Sequence, residues 1–275
     1  MMDAAAIAAP ARLRVSPRIA RGLKGALGVA LLLVAWQVSV PLVGMSAYFY
    51  PAPSDVWAAF VDLCRKGILP VYIVDSLARY GVGVGAGVLL GIVFGMLIGL
   101  SRRVSLALSP LLNFMFAIVE VAWIPIFVVW FGYGIKTIVL ALVYVVFFPV
   151  LYNTVLSVRT APQVLANAVR SLGGSRVDVV RYVILPSALP GMITGLRLAA
   201  GFAFRGLVFA EMVAAKTGVG YLIFDGAQTQ QTARTIVGMI LMGLMWLAID
   251  QFYLRPFERA TVQRWGLTVD AADRT

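Results

Sequence analysis

Two chemically active residue types are almost missing from this 275-residue chain: it contains no histidine and one cysteine, Cys64. A disulfide framework, a Cys/His metal site and acid–base catalysis by histidine are therefore excluded. Charged residues are also scarce, at 13% of the chain, where a soluble domain carries about a quarter. No G-x-x-x-x-G-K-[ST] stretch occurs, so the chain lacks the phosphate-cradling loop that ATP hydrolysis would require.

Long uncharged runs take the place of charge, over residues 25–54, 80–101 and 137–158. Each is long enough for a membrane-spanning helix of about 20 residues. The sequence therefore predicts an all-α polytopic membrane protein. We expect about six transmembrane helices, near 23–44, 72–100, 106–131, 136–158, 187–213 and 235–255. In the third, Pro125 is expected to cause a kink. A short amphipathic helix, capped by Ser54, is expected to end near Gly67.

The second predicted helix carries glycine at every fourth position. A four-residue period places residues on one helical face, where a neighbouring backbone can approach closely. We therefore expect tight helix packing along the face formed by Gly83, Gly87, Gly91, Gly95 and Gly99.

Positive charge sets the expected orientation. The net charge is +11, and basic residues accumulate on the cytoplasmic side of membrane proteins. With both termini cytoplasmic, the basic loop 101–105 and the long loop 160–186 are cytoplasmic, whereas 45–70 and 214–234 lie outside. We divide the chain into an N-terminal tail (1–22), a transmembrane domain (23–260) and a C-terminal tail (261–275). The first apolar run is too long for a cleaved signal peptide.

The cytoplasmic loop 160–186 has a structure of its own. A first short helix is predicted up to Leu172, and Gly173-Gly174 breaks it. Ser175 and Asp178 have capping-box spacing for a second helix, which Pro186 is expected to end. Its expected apolar stripe consists of Val177, Val180, Val183 and Ile184. Such a ridge is suited to contact with another protein.

This segment resembles the cytoplasmic EAA signature of ABC-importer permeases, in which Glu-Ala-Ala is followed by a glycine and then by Ile-x-Leu-Pro. The matching residues are Asn167-Ala168-Val169, Gly173 and Val183-Ile184-Leu185-Pro186. Asn167, Val169 and Val183 replace the glutamate, the second alanine and the isoleucine of the signature. Further stretches resemble the nitrate/sulfonate/taurine branch: "PSDVW" (53–57), "WIPIFVVWFGYG" (123–134), "SLGGSR" (171–176), "LPSALPGMITGLRLA" (185–199) and "AEMVAAKTGVGYLI" (210–223).

The resemblance implies a type I ABC-importer permease fold in the bacterial inner membrane, surrounded by lipid. It implies a homodimer that works with two cytoplasmic ATP-binding subunits and an external solute-binding protein, without nucleic acid. ATP and magnesium would be used by the partner, so this chain would be no enzyme and would hold no cofactor or metal. A small anionic organic solute is expected: sulfonate, taurine, a nitrate-like ion or an aromatic carboxylate. The residues expected to couple to the ATPase are Asn167, Ala168, Val169, Arg170, Gly173, Arg176, Leu185 and Pro186.

Charges inside the spans are candidates for the translocation path, because a charge in hydrocarbon is costly and usually faces a cavity or a partner. The candidates are Glu120, Arg197, Arg205 and Glu211. Two alternatives stay open for Glu120 and Arg205: they form a buried pair, or Arg205 faces the path and attracts an anion while Glu120 tunes it. Asp250 is expected to neighbour Arg255 and Arg259 and to do no more.

Two other function classes compete with the permease. An ion-coupled secondary transporter would use Glu120, Glu211 or Asp250 as a proton carrier, but the inverted repeat typical of that class is not visible. An intramembrane enzyme would need a nucleophile, an acid–base residue or paired carboxylates, and the sequence offers none of these in a recognisable motif.

Overall fold

A computed structural model describes residues 17–46 and 48–256, with side chains from Leu27 onward. All regular structure in this part of the chain is helical. The helices are α1 (Pro17–Val43), α2 (Pro53–Arg65), α3 (Ile68–Leu100), α4 (Arg102–Ala117), α5 (Trp123–Phe131), α6 (Ile135–Arg159), α7 (Gln163–Ser171), α8 (Arg176–Val179), α9 (Leu185–Ala214), α10 (Val219–Gln228) and α11 (Thr232–Ile249). A 3₁₀ turn (Glu120–Ala122) precedes α5, and π turns (Val180–Ile184 and Asp250–Leu254) precede α9 and follow α11. Most of the predicted N-terminal tail and the whole C-terminal tail lie outside the described residues.

Four helical stretches are long and apolar enough to cross a membrane: Ile68–Leu100, Ile135–Arg159, Arg176–Ala214 and Thr232–Leu254. A fifth span results if α4 and α5, which meet at a bend of 85°, are taken together. The apolar part of α1, Leu27–Val43, is shorter. The prediction of an all-α polytopic membrane protein is confirmed. Six spans were predicted, whereas the described residues contain four, or five if the bent pair is counted as one span.

The third predicted helix is broken rather than kinked at Pro125. Ile118 and Val119 are extended and separate α4 from the 3₁₀ turn. The Tyr144 hydroxyl donates to the carbonyl oxygens of Met115 and Ile118, which supplies hydrogen bonds that the break removes. Pro125 lies in the first turn of α5, where a missing N–H costs no helical hydrogen bond.

Three boundary predictions were also wrong. The basic stretch 101–105 is mostly helix, because Ser101 caps α4 and accepts a hydrogen bond from the Val104 N–H (3.4 Å). The N-cap of α2 is Ala52, whose N–H donates to the Asp55 carboxylate (3.0 Å), so Ser54 lies within the helix. Pro186 does not end a helix. The preceding π turn widens the backbone at the positions that a proline ring would crowd, and the helical stretch runs on to Ala214.

The glycine face of α3 packs against α6, as predicted. A Cβ built on each glycine would come within 2.5 to 2.8 Å of an α6 side chain, so only glycine allows this approach. The α6 residues recur with the same period of four, and the pairs are Gly83–Leu142, Gly87–Val146, Gly91–Val150, Gly95–Thr154 and Gly99–Val158. On its other side, α6 packs antiparallel to α9, where Gly195 meets Asn153 and Gly206 meets Val145. Helix α6 is therefore the centre of the bundle.

Candidate functional site

The first candidate site is the elbow, defined here as residues 163–179, which contains α7, the glycine pair and α8. Gly173 has φ +84°, a conformation that glycine adopts without strain, and its surroundings are open. Gly174 is required for another reason: its N–H donates to the Val169 carbonyl (2.9 Å), and a Cβ would lie 2.6 Å from Val169 Cγ1. The two glycines together reverse the chain directly after α7.

The second arm of the elbow begins with the predicted capping box. The Asp178 N–H donates to Ser175 Oγ (3.2 Å), and the Ser175 N–H donates to Asp178 Oδ2 (2.8 Å). Both partners satisfy N–H groups that the helix start leaves free. The sequence prediction of this cap is confirmed.

A small hydrophobic cluster holds the two arms together. Ala166, Val179 and Val183 are buried, with Val169 and Ile184 packed against them. The predicted inner stripe was therefore partly wrong, because Val179 rather than Val177 points inward. Helix α8 is only four residues long, and the π turn behind it shifts the helical period.

The outer surface of the elbow combines exposed apolar and basic side chains. Val164, Leu172 and Val177 are 79%, 88% and 71% exposed. Among the predicted coupling residues, Asn167, Ala168, Arg170, Gly173, Arg176 and Leu185 are exposed, and Val169 and Pro186 are half-buried. Exposed apolar side chains grouped with charge mark a surface suited to protein–protein contact.

The second feature is the Glu211 cluster, defined as Ser76, Arg79, Glu211, Thr217 and Gly220. The Glu211 side chain is fully buried and accepts hydrogen bonds from Arg79 Nη1 (2.8 Å), Ser76 Oγ (2.9 Å) and the Gly220 N–H (2.9 Å). Arg79 also donates to the Thr217 carbonyl (2.6 Å). A buried ion pair of this kind is stable only when its remaining hydrogen-bonding positions are filled, as they are here.

Sequence reasoning found Glu211 but missed its partners on α3. Asp75 and Arg79 are opposite charges four residues apart in a long apolar helix, and that spacing was the available signal. The loop after α9 wraps closely around the carboxylate: a Cβ on Gly218 would lie 2.5 Å from Glu211 Oε1. Glu211 therefore joins α3, α9 and the start of α10.

Asp250 joins α9 to the end of the chain that the structure describes. Arg255 Nε donates to Asp250 Oδ2 (2.8 Å), and Arg197 Nη2 lies 3.6 Å from Asp250 Oδ1. The predicted proximity to Arg255 is confirmed, while Arg259 lies outside the described residues. The expectation that Asp250 does no more was wrong, because it also contacts Arg197.

Glu120 borders a cavity of about 400 Å³ between the α4–α5 break, α6 and α9. Five aromatic side chains line it, together with Glu120, Asn153 and Leu198; the rings belong to Phe116, Tyr144, Phe148, Tyr152 and Phe202. In the described part of the chain no ion pair joins Glu120 to Arg205. Arg205 is exposed and lies three residues after Phe202, on the same side of α9.

An apolar helical bundle with a structured two-arm elbow between two spans defines the class as a polytopic membrane protein. The chain belongs to the family of binding-protein-dependent transport system inner membrane components, whose model matches residues 87–254. It is thus a permease subunit of an ABC importer, as the resemblance implied. Membership of this family implies work with ATP-binding subunits and a solute-binding protein.

Individual relatives and solved structures agree. The chain is 34% identical to the putative aliphatic sulfonates permease SsuC of Bacillus subtilis and 32% identical to the taurine permease TauC of Escherichia coli, in each case over 86% of both chains. It is 37% identical to the riboflavin permease RibX of Chloroflexus aurantiacus, over 86% of this chain and 91% of that protein. A chain of the inward-facing MetNI methionine ABC transporter has the same fold: the TM-score is 0.61 at 19% identity, over 72% of this chain and 97% of that one.

Proposed function

We propose that two copies of this chain form the membrane-spanning part of the importer and pass a small anionic organic solute inward. An external binding protein delivers the solute, and two cytoplasmic subunits hydrolyse ATP with magnesium. The chain itself catalyses no reaction and holds no cofactor, and both of its termini are cytoplasmic. Relatives named for aliphatic sulfonates and bicarbonate support an anionic solute.

The observation that carries this proposal is the elbow. Its exposed side chains Val164, Leu172 and Val177 form an apolar surface beside Arg170 and Arg176. Docking of an ATPase would bury the apolar groups, and each such side chain contributes about 1.5–3 kcal/mol when it is fully removed from water. The arginines would guide an acidic groove onto the same surface.

Movement of the elbow would be transmitted along one helix. The stretch Arg176–Ala214 is continuous over 39 residues, which corresponds to about 58 Å at 1.5 Å per residue. Its first turn belongs to the elbow, and its last turn holds Glu211. A force applied by the ATPase at the cytoplasmic end would therefore reach the opposite end of the bundle without crossing a flexible loop.

The four path candidates divide into two groups. Arg197 contacts Asp250 and Glu211 is bound by Arg79, so both have structural partners. Glu120 lines a cavity, and Arg205 is exposed on the side of α9 that carries the lining residues Leu198 and Phe202. We therefore assign the path to the second pair, with Arg205 as the group that attracts the anion.

The test is co-purification of the tagged chain from its native membrane in mild detergent. Gly173→Asp places a charge and a strained φ in the elbow, so we expect the ATPase to co-purify with the unchanged protein and to be lost, with its ATP turnover, from this variant. Gly67→Asp is the matched control: Gly67 has φ +69° and open surroundings but lies between α2 and α3. Absence of an ATPase from the unchanged protein, or its retention by Gly173→Asp, would refute the proposed role of the elbow.

A further inference from the structure

Most of the side-chain hydrogen-bond donors that line the Glu120 cavity are already used within the chain. The Tyr144 hydroxyl donates to the Met115 carbonyl. The Tyr152 hydroxyl donates to Asn113 Oδ1 (2.7 Å), and the Asn153 amide N–H donates to the Pro149 carbonyl (2.8 Å). What these side chains still offer to a ligand is mainly acceptor capacity, together with the second N–H of the Asn153 amide.

Two side-chain acceptors in the cavity wall, Glu120 and Asn153 Oδ1, have no partner among the described residues. Glu120 makes no hydrogen bond or ion pair with any described residue, and Asn153 Oδ1 accepts none from them. An unpaired carboxylate at membrane depth is costly unless it faces water or a cation. The neighbouring rings add to the same preference, because an aromatic face attracts a cation within about 6 Å. The cavity wall is therefore suited to a positively charged or donor-rich nitrogen.

Arg205 provides the opposite charge at the rim. It follows Leu198 by seven residues and Phe202 by three, which places it on the side of α9 that faces the cavity. Along the helix axis, Leu198 and Arg205 are about 10 Å apart. Arg205 also makes no ion pair or hydrogen bond within the described chain, so its donors are available to an anionic group.

We infer that the Glu120 cavity receives a dipolar solute, which places a protonated nitrogen against Glu120 and the aromatic rings and an anionic group toward Arg205. The inference rests on the proposed function and narrows it from anions in general to molecules that carry both charges. A simple anion would meet the Glu120 carboxylate without compensation and would be repelled. The aromatic lining further favours a solute with a flat or apolar body between its two charged groups.

The test measures the sign of the potential at the two ends of the cavity. Cys64 is the only cysteine and is exposed, so Cys64→Ala gives a background without thiols. Into it we introduce Leu198→Cys at the cavity wall, or Phe209→Cys one turn beyond Arg205; both native side chains are about half exposed, at 51% and 49%. Membrane vesicles containing the full chain are treated with a trimethylammonium-ethyl or a sulfonatoethyl methanethiosulfonate reagent.

We expect the cationic reagent to react faster at Leu198→Cys and the anionic reagent to react faster at Phe209→Cys. Glu120→Gln should reduce the preference for the cationic reagent at Leu198→Cys by about tenfold, and Arg205→Gln should reduce the preference for the anionic reagent at Phe209→Cys by about the same factor. Each substitution removes one unit charge close to the labelled cysteine. Each neutral variant also provides a control. Glu120→Gln should leave the preference at Phe209→Cys unchanged, and Arg205→Gln should leave the preference at Leu198→Cys unchanged.

Three results would overturn the inference. The first is the same charge preference at both positions. The second is a reaction ratio at Leu198→Cys that does not respond to Glu120→Gln. The third is no reaction at Leu198→Cys with either reagent while Cys64 of the unchanged chain reacts, because the cavity would then be closed to water. None of these results depends on a partner ATPase. Failure of the co-purification and failure of this labelling experiment can therefore be told apart.

Discussion

Removal of Arg79 should be among the most damaging single changes to this protein. In Arg79→Met the fully buried Glu211 carboxylate loses the one charged partner that it has within 3 Å among the described residues, and it keeps two neutral donors, Ser76 Oγ and the Gly220 N–H. Breaking a buried ion pair by removing one partner costs about 3–5 kcal/mol, because the remaining charge is left uncompensated. The lost contact to the Thr217 carbonyl adds to this cost.

The double variant Arg79→Met/Glu211→Gln tests that reasoning. With both charges removed, Gln can still accept from Ser76 and Gly220, so we expect the double variant to be more stable than Arg79→Met alone. On the scale of 2–4 °C per kcal/mol for domains of this size, Arg79→Met should lower the melting temperature by on the order of 10 °C. The assay is size-exclusion chromatography of heated samples in detergent. If the loss of stability in the double variant equals the sum of the losses in the two single variants, the interaction between Arg79 and Glu211 is not the source of the stability.

Two further predictions concern the helix contacts. Gly87→Ala should destabilise the bundle by about 1–3 kcal/mol, because its Cβ would lie 2.6 Å from Val146 Cβ. Gly85→Ala is the control, since a Cβ at this position would have nothing within 4 Å. Equal melting temperatures for the two variants would contradict the packing argument. Tyr144→Phe should cost about 1–3 kcal/mol, since it removes the side-chain donor to the Ile118 carbonyl at the α4–α5 break and leaves the Met115 carbonyl with only the Ile118 N–H (3.1 Å). Proteolysis between α4 and α5 should then become faster, and an unchanged rate would show that another contact holds the break.

The sequence predicted best the features that have a short repeat or a local hydrogen-bond pattern. The glycine period of α3 and the Ser175–Asp178 cap follow from spacing alone, and both are confirmed. The spans α6 and α9 were placed within a few residues, because uncharged runs of membrane length have few other interpretations.

Features that depend on distant contacts were not predictable in this way. The break at Ile118–Val119 has no proline or glycine, and the Tyr144 hydroxyl that supports it comes from another helix. Arg79 and Glu211 are 132 positions apart, so their pairing has no local signal. Likewise, nothing in the local pattern distinguishes Glu120, which lines a cavity, from Glu211, which is enclosed by the loop after α9.

The matched periods of α3 and α6 have a consequence for how the two helices can be aligned. Because glycines recur every four residues on α3 and bulky side chains recur every four on α6, a slide of four residues, about 6 Å, would seat most side chains against the next glycine. Shape alone therefore allows more than one alignment of this contact. The Arg79–Glu211 bond selects one of them, since it forms only when α3 stands at a single height relative to α9. A polar contact near one end of the bundle thus determines the position of a hydrophobic contact that runs through its length.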